Sequence, residues 1–304
     1  MPIRRVAALH TLSTINPQLS TESSSAYERR PGWGAWLFMA PLLLWLLLFV
    51  IAPTILLVIY SFAERDSLGR VVFHFTWENY LRSFDWQWLK ILLYSIWYAF
   101  LTTLICMVVG FPAAWFIGRA PERYRNLLMT LVMIPFWTSF LIRTYAWITI
   151  LSSEGFLNAA LLSSSLINQP LAMMYTPFAV VLGLVYNYLP FMILPIYTSV
   201  EKLDNSLVEA AYDLGAGPVR AFSKVIIPLT RPGIAAGALL VFVPAIAMFA
   251  ITTLMGGGAN PTVGEVIQKQ FTSARNQPFG AALGTLLLLL FFVSLWFTRA
   301  RKRS

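Results

Sequence analysis

The most distinctive spacing of polar residues in this chain occurs in residues 201–232, a segment that separates two long apolar stretches. Ser206 is followed three residues later by Glu209, a capping-box pattern that predicts a helix with Ser206 as its N-cap. Gly215 suits a left-handed stop for that helix, and Pro218 suits the first turn of a second one. The segment is therefore predicted to form two short helices joined by a glycine bend.

The side chains of the first short helix are suited to binding rather than to catalysis. The small residues Ala210 and Ala211 allow a partner to approach the helix backbone closely. Glu209 and Asp213, four residues apart, lie on one face of the helix and give it an acidic edge. The second short helix is expected to close before Pro228. Such a segment fits either a docking element for another protein or an amphipathic helix on a membrane surface.

Composition places this segment in a membrane protein. The 304 residues are 58% hydrophobic and 12% charged, with a mean hydropathy of +0.68, whereas roughly a quarter of the residues in a soluble domain are charged. A helix needs about 20 apolar residues to cross the bilayer. Six stretches meet this requirement: Trp36–Phe62, Ile91–Ile117, Leu127–Leu151, Met173–Val200, Ile234–Leu254 and Phe279–Thr298. The predicted fold is an all-α membrane protein with six transmembrane helices.

The polar segments predict the domain organisation and the orientation. Residues 1–32 are rich in Ser and Thr and predict a flexible cytoplasmic tail, which leaves residues 33–304 as the transmembrane domain. Lys and Arg are concentrated on the side of the membrane that holds this tail and residues 201–232. Both termini are therefore expected in the cytoplasm. The net charge of +9 reflects this bias and does not indicate nucleic-acid binding.

Charge is almost absent from the six stretches themselves. None contains Asp or Glu, and Arg143 is a basic residue within one of them. Charges inside a membrane are costly and usually functional. Arg143 is predicted to be a structural or gating charge, paired with Glu154 or Glu265, with direct contact to a transported molecule as the alternative. His10 and His74 have no partner at metal-ligand spacing, so the sequence predicts neither a metal site nor a catalytic site.

If the protein is a transporter, aromatic residues near this arginine are candidates for lining its pathway. Aromatic rings can hold an organic cation by cation–π attraction, although aromatic residues near span ends are also typical of membrane interfaces. The candidates, with one polar neighbour, are Trp137, Tyr145, Trp147, Tyr186, Asn187 and Tyr188.

The 201–232 segment also resembles a known family motif. Glu209-Ala210-Ala211, three residues, Gly215, nine residues and Val225-Ile226-Ile227-Pro228 are similar to the EAA loop of ABC importer permeases. In that family the loop docks on an ATP-hydrolysing subunit. The resemblance therefore implies a type I ABC importer permease fold, with Ser206, Glu209, Ala210, Ala211, Asp213, Gly215 and Pro228 in the coupling loop.

Further segments resemble the permeases of polyamine importers. Pro135–Trp147 and Asn187–Tyr197 are similar to the third and fourth spans of spermidine/putrescine-type permeases. Residues 248–254 depart from that pattern, because polyamine relatives often carry acidic residues there and this chain has none. A polyamine is the expected cargo, with an opine, an amino acid derivative or an aminophosphonate as alternatives.

The resemblance also implies partners in a bacterial inner membrane. They are two ATP-binding subunits, a second homologous permease subunit and an external substrate-binding protein. The chain contains no G-x-x-x-x-G-K-[ST] phosphate loop, so ATP and Mg²⁺ are expected on the partner ATPase and no cofactor on this chain. An ion-coupled secondary transporter is the alternative class, but such proteins commonly use intramembrane carboxylates.

Overall fold

The structure, a computed structural model, describes residues 33–66, 69–258 and 260–300. The described residues divide into two units, with the boundary between Leu56 and Leu57. The predicted tail, residues 1–32, lies outside the described residues.

The described part of the chain is almost entirely helical. The first four elements are α1 (Trp33–Leu46), a π-helical turn (Leu47–Ile51), α2 (Ala52–Ser61) and a short antiparallel hairpin of β1 (Glu64–Arg65) and β2 (Val71–Val72). The next are α3 (Glu78–Ser83), α4 (Trp86–Arg119), α5 (Glu122–Met133), a 3₁₀ turn (Ile134–Trp137), α6 (Phe140–Leu151), α7 (Phe156–Ser163) and α8 (Pro177–Glu201). The remainder are α9 (Asn205–Asp213), α10 (Pro218–Ala221), a second π-helical turn (Phe222–Ile226), α11 (Ile227–Ala247), α12 (Ala250–Gly256), α13 (Val263–Phe271) and α14 (Gln277–Ala300).

The all-α prediction is confirmed, whereas six spans are more than the described helices support. Four helical segments are long and apolar enough to cross a membrane: Phe38–Ser61, Trp86–Arg119, Pro177–Glu201 and Pro218–Ala247. A fifth span is added if the bent pair Glu122–Trp137 and Phe140–Ser163 counts as one. The last predicted span falls on α14, which runs from Gln277 to Ala300 and is apolar over Gln277–Val293.

The predicted third span is not one straight helix. Its two halves meet at an angle of 90°. Pro135, which has no N–H, lies in the 3₁₀ turn, and Thr138 and Ser139 then adopt extended ψ angles of 146° and 136° before α6 begins. This bend places the N-terminus of α6 directly after the turn that holds Phe136.

The predicted fifth span is also broken, between α11 and α12. Met248 has an extended ψ of 123°, which ends α11. Its carbonyl accepts hydrogen bonds from the hydroxyls of Thr252 (3.2 Å) and Thr262 (3.3 Å), which themselves lie 3.1 Å apart. Side-chain hydroxyls therefore satisfy a backbone group that the break exposes. Beyond the break, residues Val263–Phe271 form the short helix α13.

The core of the second unit is formed by α4, α8 and α11, which pack against one another. Small residues bring the helices close together. A Cβ added at Gly118 would lie 2.7 Å from a Val200 methyl group, and one at Gly237 would lie 2.8 Å from the Met192 sulfur. Close approach of backbones at small residues is how membrane helices associate. The C-terminal end of α8 is thereby held firmly where the polar segment 201–232 begins.

Candidate functional site: the coupling loop and an aromatic cluster

Asp204 caps the first short helix of the polar segment. Its side-chain Oδ1 accepts a hydrogen bond from the backbone N–H of Ser206 at 2.9 Å, and α9 begins at Asn205. This hydrogen bond favours the carboxylate and lowers the pKa of Asp204 from its ordinary value. The prediction that Ser206 is the N-cap is therefore wrong, because the helix starts two residues earlier than that prediction requires and Ser206 lies inside its first turn.

Gly215 ends this helix as predicted. Its φ is +77°, in the left-handed region, and an added Cβ would meet nothing within 4 Å. The N–H of Gly215 donates to the carbonyl of Tyr212 (2.9 Å), and the N–H of Ala216 donates to that of Ala211 (3.0 Å). This pair of bonds is the Schellman motif, which satisfies the last carbonyls of a helix. The glycine is required by its backbone conformation rather than by lack of space.

The second short helix begins at Pro218 as predicted, but it does not close before Pro228. α10 continues through the π-helical turn into α11, so that Pro218–Ala247 is one helical stretch. Pro228 lies inside this stretch, two residues after the π-helical turn, where its missing N–H removes one hydrogen bond of the helix. The bend at Gly215 therefore joins α9 directly to the long core helix.

The surface of α9 is open. No residue of α9 is buried, and Glu209, Ala210 and Asp213 are exposed. The neighbouring Leu214 is 88% exposed. The acidic residues Glu209 and Asp213, the small residue Ala210 and the exposed Leu214 thus form one accessible surface. Such a surface is suited to docking of another protein.

The loop is tied to the membrane helices at several points. Val208 of α9 packs against the core, and Ile226 before α11 is buried within it. At the end of α8, Glu201 accepts a hydrogen bond from Arg125 of α5 at 3.0 Å. The loop is thus packed against the core at Val208 and Ile226, and its first residue, Glu201, is paired with α5.

A second group of functional candidates forms an aromatic cluster around Arg143. The guanidinium carbon of Arg143 lies 5.9 Å from the ring centroids of both Phe136 and Tyr186. Trp147 meets Tyr186 edge-on, with centroids 5.5 Å apart and an interplanar angle of 73°. Phe136 meets Phe191 in the same manner at 4.9 Å. The bend in the third span makes this cluster possible, because it brings the 3₁₀ turn, α6 and α8 together.

The predicted ion pair of Arg143 is not formed. Glu265 is buried and pairs with Lys269 at 2.8 Å, and among the described residues Arg143 forms no salt bridge with Glu154 or any other acid. Its Nε and Nη1 are buried without a hydrogen-bond partner in this part of the chain. The rings therefore provide the main observed contacts of the cation.

None of the remaining pathway candidates stacks on Arg143 in the described part of the chain, although the ring centroid of Tyr188 lies 6.2 Å from that of Phe191. Trp137 and Tyr145 are 79% and 56% exposed, and neither has a ring contact with the cluster among the described residues. Asn187 and Tyr188 are each 6% exposed, on the core side of α8. Asn187 donates to the carbonyl of Gly183 at 2.9 Å, and its Oδ1 has no partner among the described groups. Trp147 and Tyr186 are thus the two candidates that the fold brings together with Arg143.

Sequence reasoning missed the capping role of Asp204 and the bridging role of Thr262. An Asp at the first polar position before a helix is itself a capping signal, so Asp204 could have been found. Thr262 gave no comparable signal, since its role depends on the break at Met248. Among the described residues, no group of three or more His, Cys, Asp or Glu residues is arranged to hold a metal ion.

Comparison with known proteins identifies the family of this chain. Residues 110–303 match the family described as the inner membrane component of binding-protein-dependent transport systems. The chain is 46% identical over 259 residues to the spermidine/putrescine transport system permease protein PotB of Escherichia coli (strain K12), covering 85% of this chain and 94% of that protein. It is 43% identical over 253 residues to the Haemophilus influenzae protein of the same name, covering 82% and 88%.

Solved structures share the fold. A chain of a bacterial ABC transporter involved in the import of the acidic polysaccharide alginate superposes with a TM-score of 0.73 at 17% identity, covering 89% of this chain and 95% of that one. A chain of the alginate transporter in complex with an alginate pentasaccharide-bound periplasmic protein gives 0.70 at 17% identity, covering 87% and 92%. At this identity the likeness concerns the fold alone. With the family match, the chain belongs to the inner membrane components of binding-protein-dependent transport systems and is a permease subunit rather than an enzyme.

Proposed function

We propose that this chain is one permease subunit of an ATP-driven importer of polyamines such as putrescine and spermidine. The observation that carries this proposal is the 46% identity, over 85% of the chain, to a permease named for spermidine and putrescine. The relatives match in length as well as in sequence, since 94% of that protein is covered.

The exposed helix α9 is the element that couples this permease to ATP hydrolysis. Its acidic edge and small-residue patch dock on one of two ATP-binding subunits, which hold ATP and Mg²⁺. Closure of those subunits displaces α9, and the contacts of Val208, Ile226 and Glu201 carry the displacement to the membrane helices. A second homologous permease subunit completes the pathway, and an external binding protein delivers the cargo.

The proposal also implies a membrane topology for the chain. The chain lies in the bacterial inner membrane with six spans and both termini in the cytoplasm, so that the 201–232 loop meets the ATP-binding subunits. The broken third and fifth helices each count as one span. Discontinuous helices are tolerated where they face protein or a cavity rather than lipid, which fits a role beside the pathway.

The aromatic cluster around Arg143 is the proposed point of contact with cargo. The rings of Phe136 and Tyr186 already hold a guanidinium, so their faces suit an alkylammonium group as well. Arg143 already occupies the faces of these two rings, and its positive charge repels a cationic cargo molecule. Arg143 therefore acts as a gating charge, because it keeps the contact between cargo and rings brief. Weak contact suits a pathway, since capture belongs to the binding protein.

One observation favours a second class of cargo. Residues 248–254 contain no acidic side chain, and Arg143 adds a positive charge. An amino acid derivative, an opine or an aminophosphonate, each of which carries an anionic group, would suit this charge pattern better than a polyamine.

Uptake of labelled cargo by cells that lack the gene tests the proposal. The native chain, expressed from a plasmid in these cells, should restore uptake of labelled putrescine or spermidine. The restored uptake should require ATP rather than the proton gradient. Restoration of uptake for an amino acid derivative, with polyamine uptake unchanged, would keep the permease role and overturn the polyamine assignment.

A further inference from the structure

A narrow apolar groove lies between α3, α4 and α14 on the surface of the second unit. Its volume is about 260 Å³. Apolar side chains of α4 and α14 form its walls, and Ser83 supplies a polar group at one end. The lining residues used below are Trp88, Leu89, Leu92, Leu286, Leu289 and Val293. Leu289 and Val293 are about half exposed, so the groove is open along its length.

A basic side chain stands at one end of this groove. The guanidinium carbon of Arg82 lies 4.6 Å from the ring centroid of Phe279 and 5.9 Å from that of Trp88, which itself lines the groove. Arg82 is exposed, and it forms no salt bridge with an acid in the described part of the chain. Its nearest acidic neighbours along the sequence are Glu78 and Asp85, both of which are exposed.

The depth of the groove in the bilayer follows from α4. This helix has 34 residues and is therefore roughly 51 Å long. Its C-terminal end, Arg119, lies near the Arg125–Glu201 pair and the coupling loop, so its N-terminal end, with Trp88 and Leu89, lies at the opposite membrane face. From there the groove follows α14 from Leu283 to Val293, about 15 Å toward the bilayer centre. That length matches one leaflet of a hydrocarbon core about 30 Å thick.

We propose that this groove is a binding site for an anionic phospholipid, with one acyl chain between α4 and α14 and the phosphate on Arg82. The pairing of an apolar channel of leaflet depth with an unpaired guanidinium at its membrane-surface end matches the two parts of a phospholipid. Arg forms strong charge-assisted hydrogen bonds with phosphate. A helix of a partner subunit is the competing occupant of an apolar groove, but it would leave the guanidinium of Arg82 without an anion. The proposal does not depend on which cargo the transporter carries.

Native mass spectrometry of the assembled transporter, purified in detergent with added phosphatidylglycerol or phosphatidylcholine, tests the site. The native complex should retain one phosphatidylglycerol in preference to phosphatidylcholine. Arg82→Gln should lower this retention about tenfold, as expected for loss of a charged hydrogen bond, and Arg82→Lys should keep most of it. Arg70→Gln is the matched control, because Arg70 is exposed in the hairpin outside the groove.

A second variant separates the acyl chain from the headgroup. Leu289→Trp fills the groove and leaves Arg82 in place, so it should also lower retention of phosphatidylglycerol, and added inorganic phosphate should not displace the lipid. Equal retention in native, Arg82→Gln and Leu289→Trp complexes would overturn the proposal. Loss of the partner permease from the Leu289→Trp complex would assign the groove to a subunit contact and overturn it as well.

Discussion

The carboxylate of Asp204 accepts a hydrogen bond from the backbone N–H of Ser206 at 2.9 Å and so caps the first turn of α9, the proposed coupling helix. The hydrogen bond lowers the pKa of Asp204, so the stabilisation is present above the unfolded pKa, near 4, and is lost as the pH falls through the folded value. At neutral pH the cap is fully formed. Transport between pH 5 and 8 should therefore show no dependence on this group.

Replacement of Asp204 tests the cap. Asp204→Asn keeps a side-chain acceptor at the N-cap, whereas Asp204→Ala removes it. We expect faster amide hydrogen exchange in residues 205–213 for the alanine variant at pH 7, and little change for the asparagine variant. Below about pH 4 the native helix should lose protection while the Asp204→Asn helix keeps it. Ser206→Ala should leave exchange unchanged, and a large effect there would restore Ser206 as the cap.

Gly215 and Gly217 form a matched pair for testing the bend. An added Cβ meets nothing within 4 Å at either position, but φ is +77° at Gly215 and −70° at Gly217. A β-branched residue in the left-handed region costs about 1–2 kcal/mol or more. Gly215→Val should therefore remain in the membrane and lose uptake, and Gly217→Val should transport normally. Normal uptake by Gly215→Val would contradict the role assigned to the bend.

The hydroxyl of Thr262 should stabilise the break in the fifth span. It bonds the Met248 carbonyl and the Thr252 hydroxyl, and it is 1% exposed. Thr262→Val removes one hydrogen-bond partner from the Met248 carbonyl and one from the Thr252 hydroxyl. The free energy of unfolding should therefore fall by about 1–3 kcal/mol. Thermal unfolding of the purified transporter measures this loss. Thr253→Val, at an exposed position of α12, is the control and should cause little change.

The aromatic cluster predicts different effects for two tyrosines. Tyr186 contacts Arg143 and Trp147, whereas Tyr145 is 56% exposed and has no ring contact with the cluster among the described residues. Tyr186→Ala should reduce the maximal rate of polyamine uptake, and Tyr186→Phe should retain it, because the ring face is the proposed contact. Tyr145→Ala should have little effect. Equal loss of uptake in Tyr145→Ala and Tyr186→Ala would argue against a pathway centred on this cluster.

The sequence alone predicted the helical class, the membrane location and the glycine bend, because each depends on local composition or on one residue's backbone preference. Gly215 is the clearest case, since its positive φ follows from residue type and position. The cap was misplaced by two residues, from Asp204 to Ser206, because the start of α9 depends on where α8 ends. Local sequence does not determine that point.

The breaks in the third and fifth spans show a second limit of sequence analysis. Pro135 signalled the first break, but hydropathy runs through it without interruption, so the stretch was assigned as one span. Nothing local signals the break at Met248, where the freed carbonyl is satisfied by Thr262, 14 residues away in sequence. The contacts of Arg143 were likewise set by tertiary packing, since Glu265 turned out to be paired with Lys269.

ATP hydrolysis by the purified transporter in lipid nanodiscs tests the central claim, that helix α9 couples this permease to an ATPase that drives polyamine import. The binding protein should stimulate hydrolysis several-fold when spermidine is present, in complexes with the native chain and with Gly217→Val. The complex with Gly215→Val should assemble but show no stimulation. Equal stimulation of the Gly215→Val complex would contradict the coupling role of the bend, and native complexes that respond to no polyamine would contradict the assigned cargo.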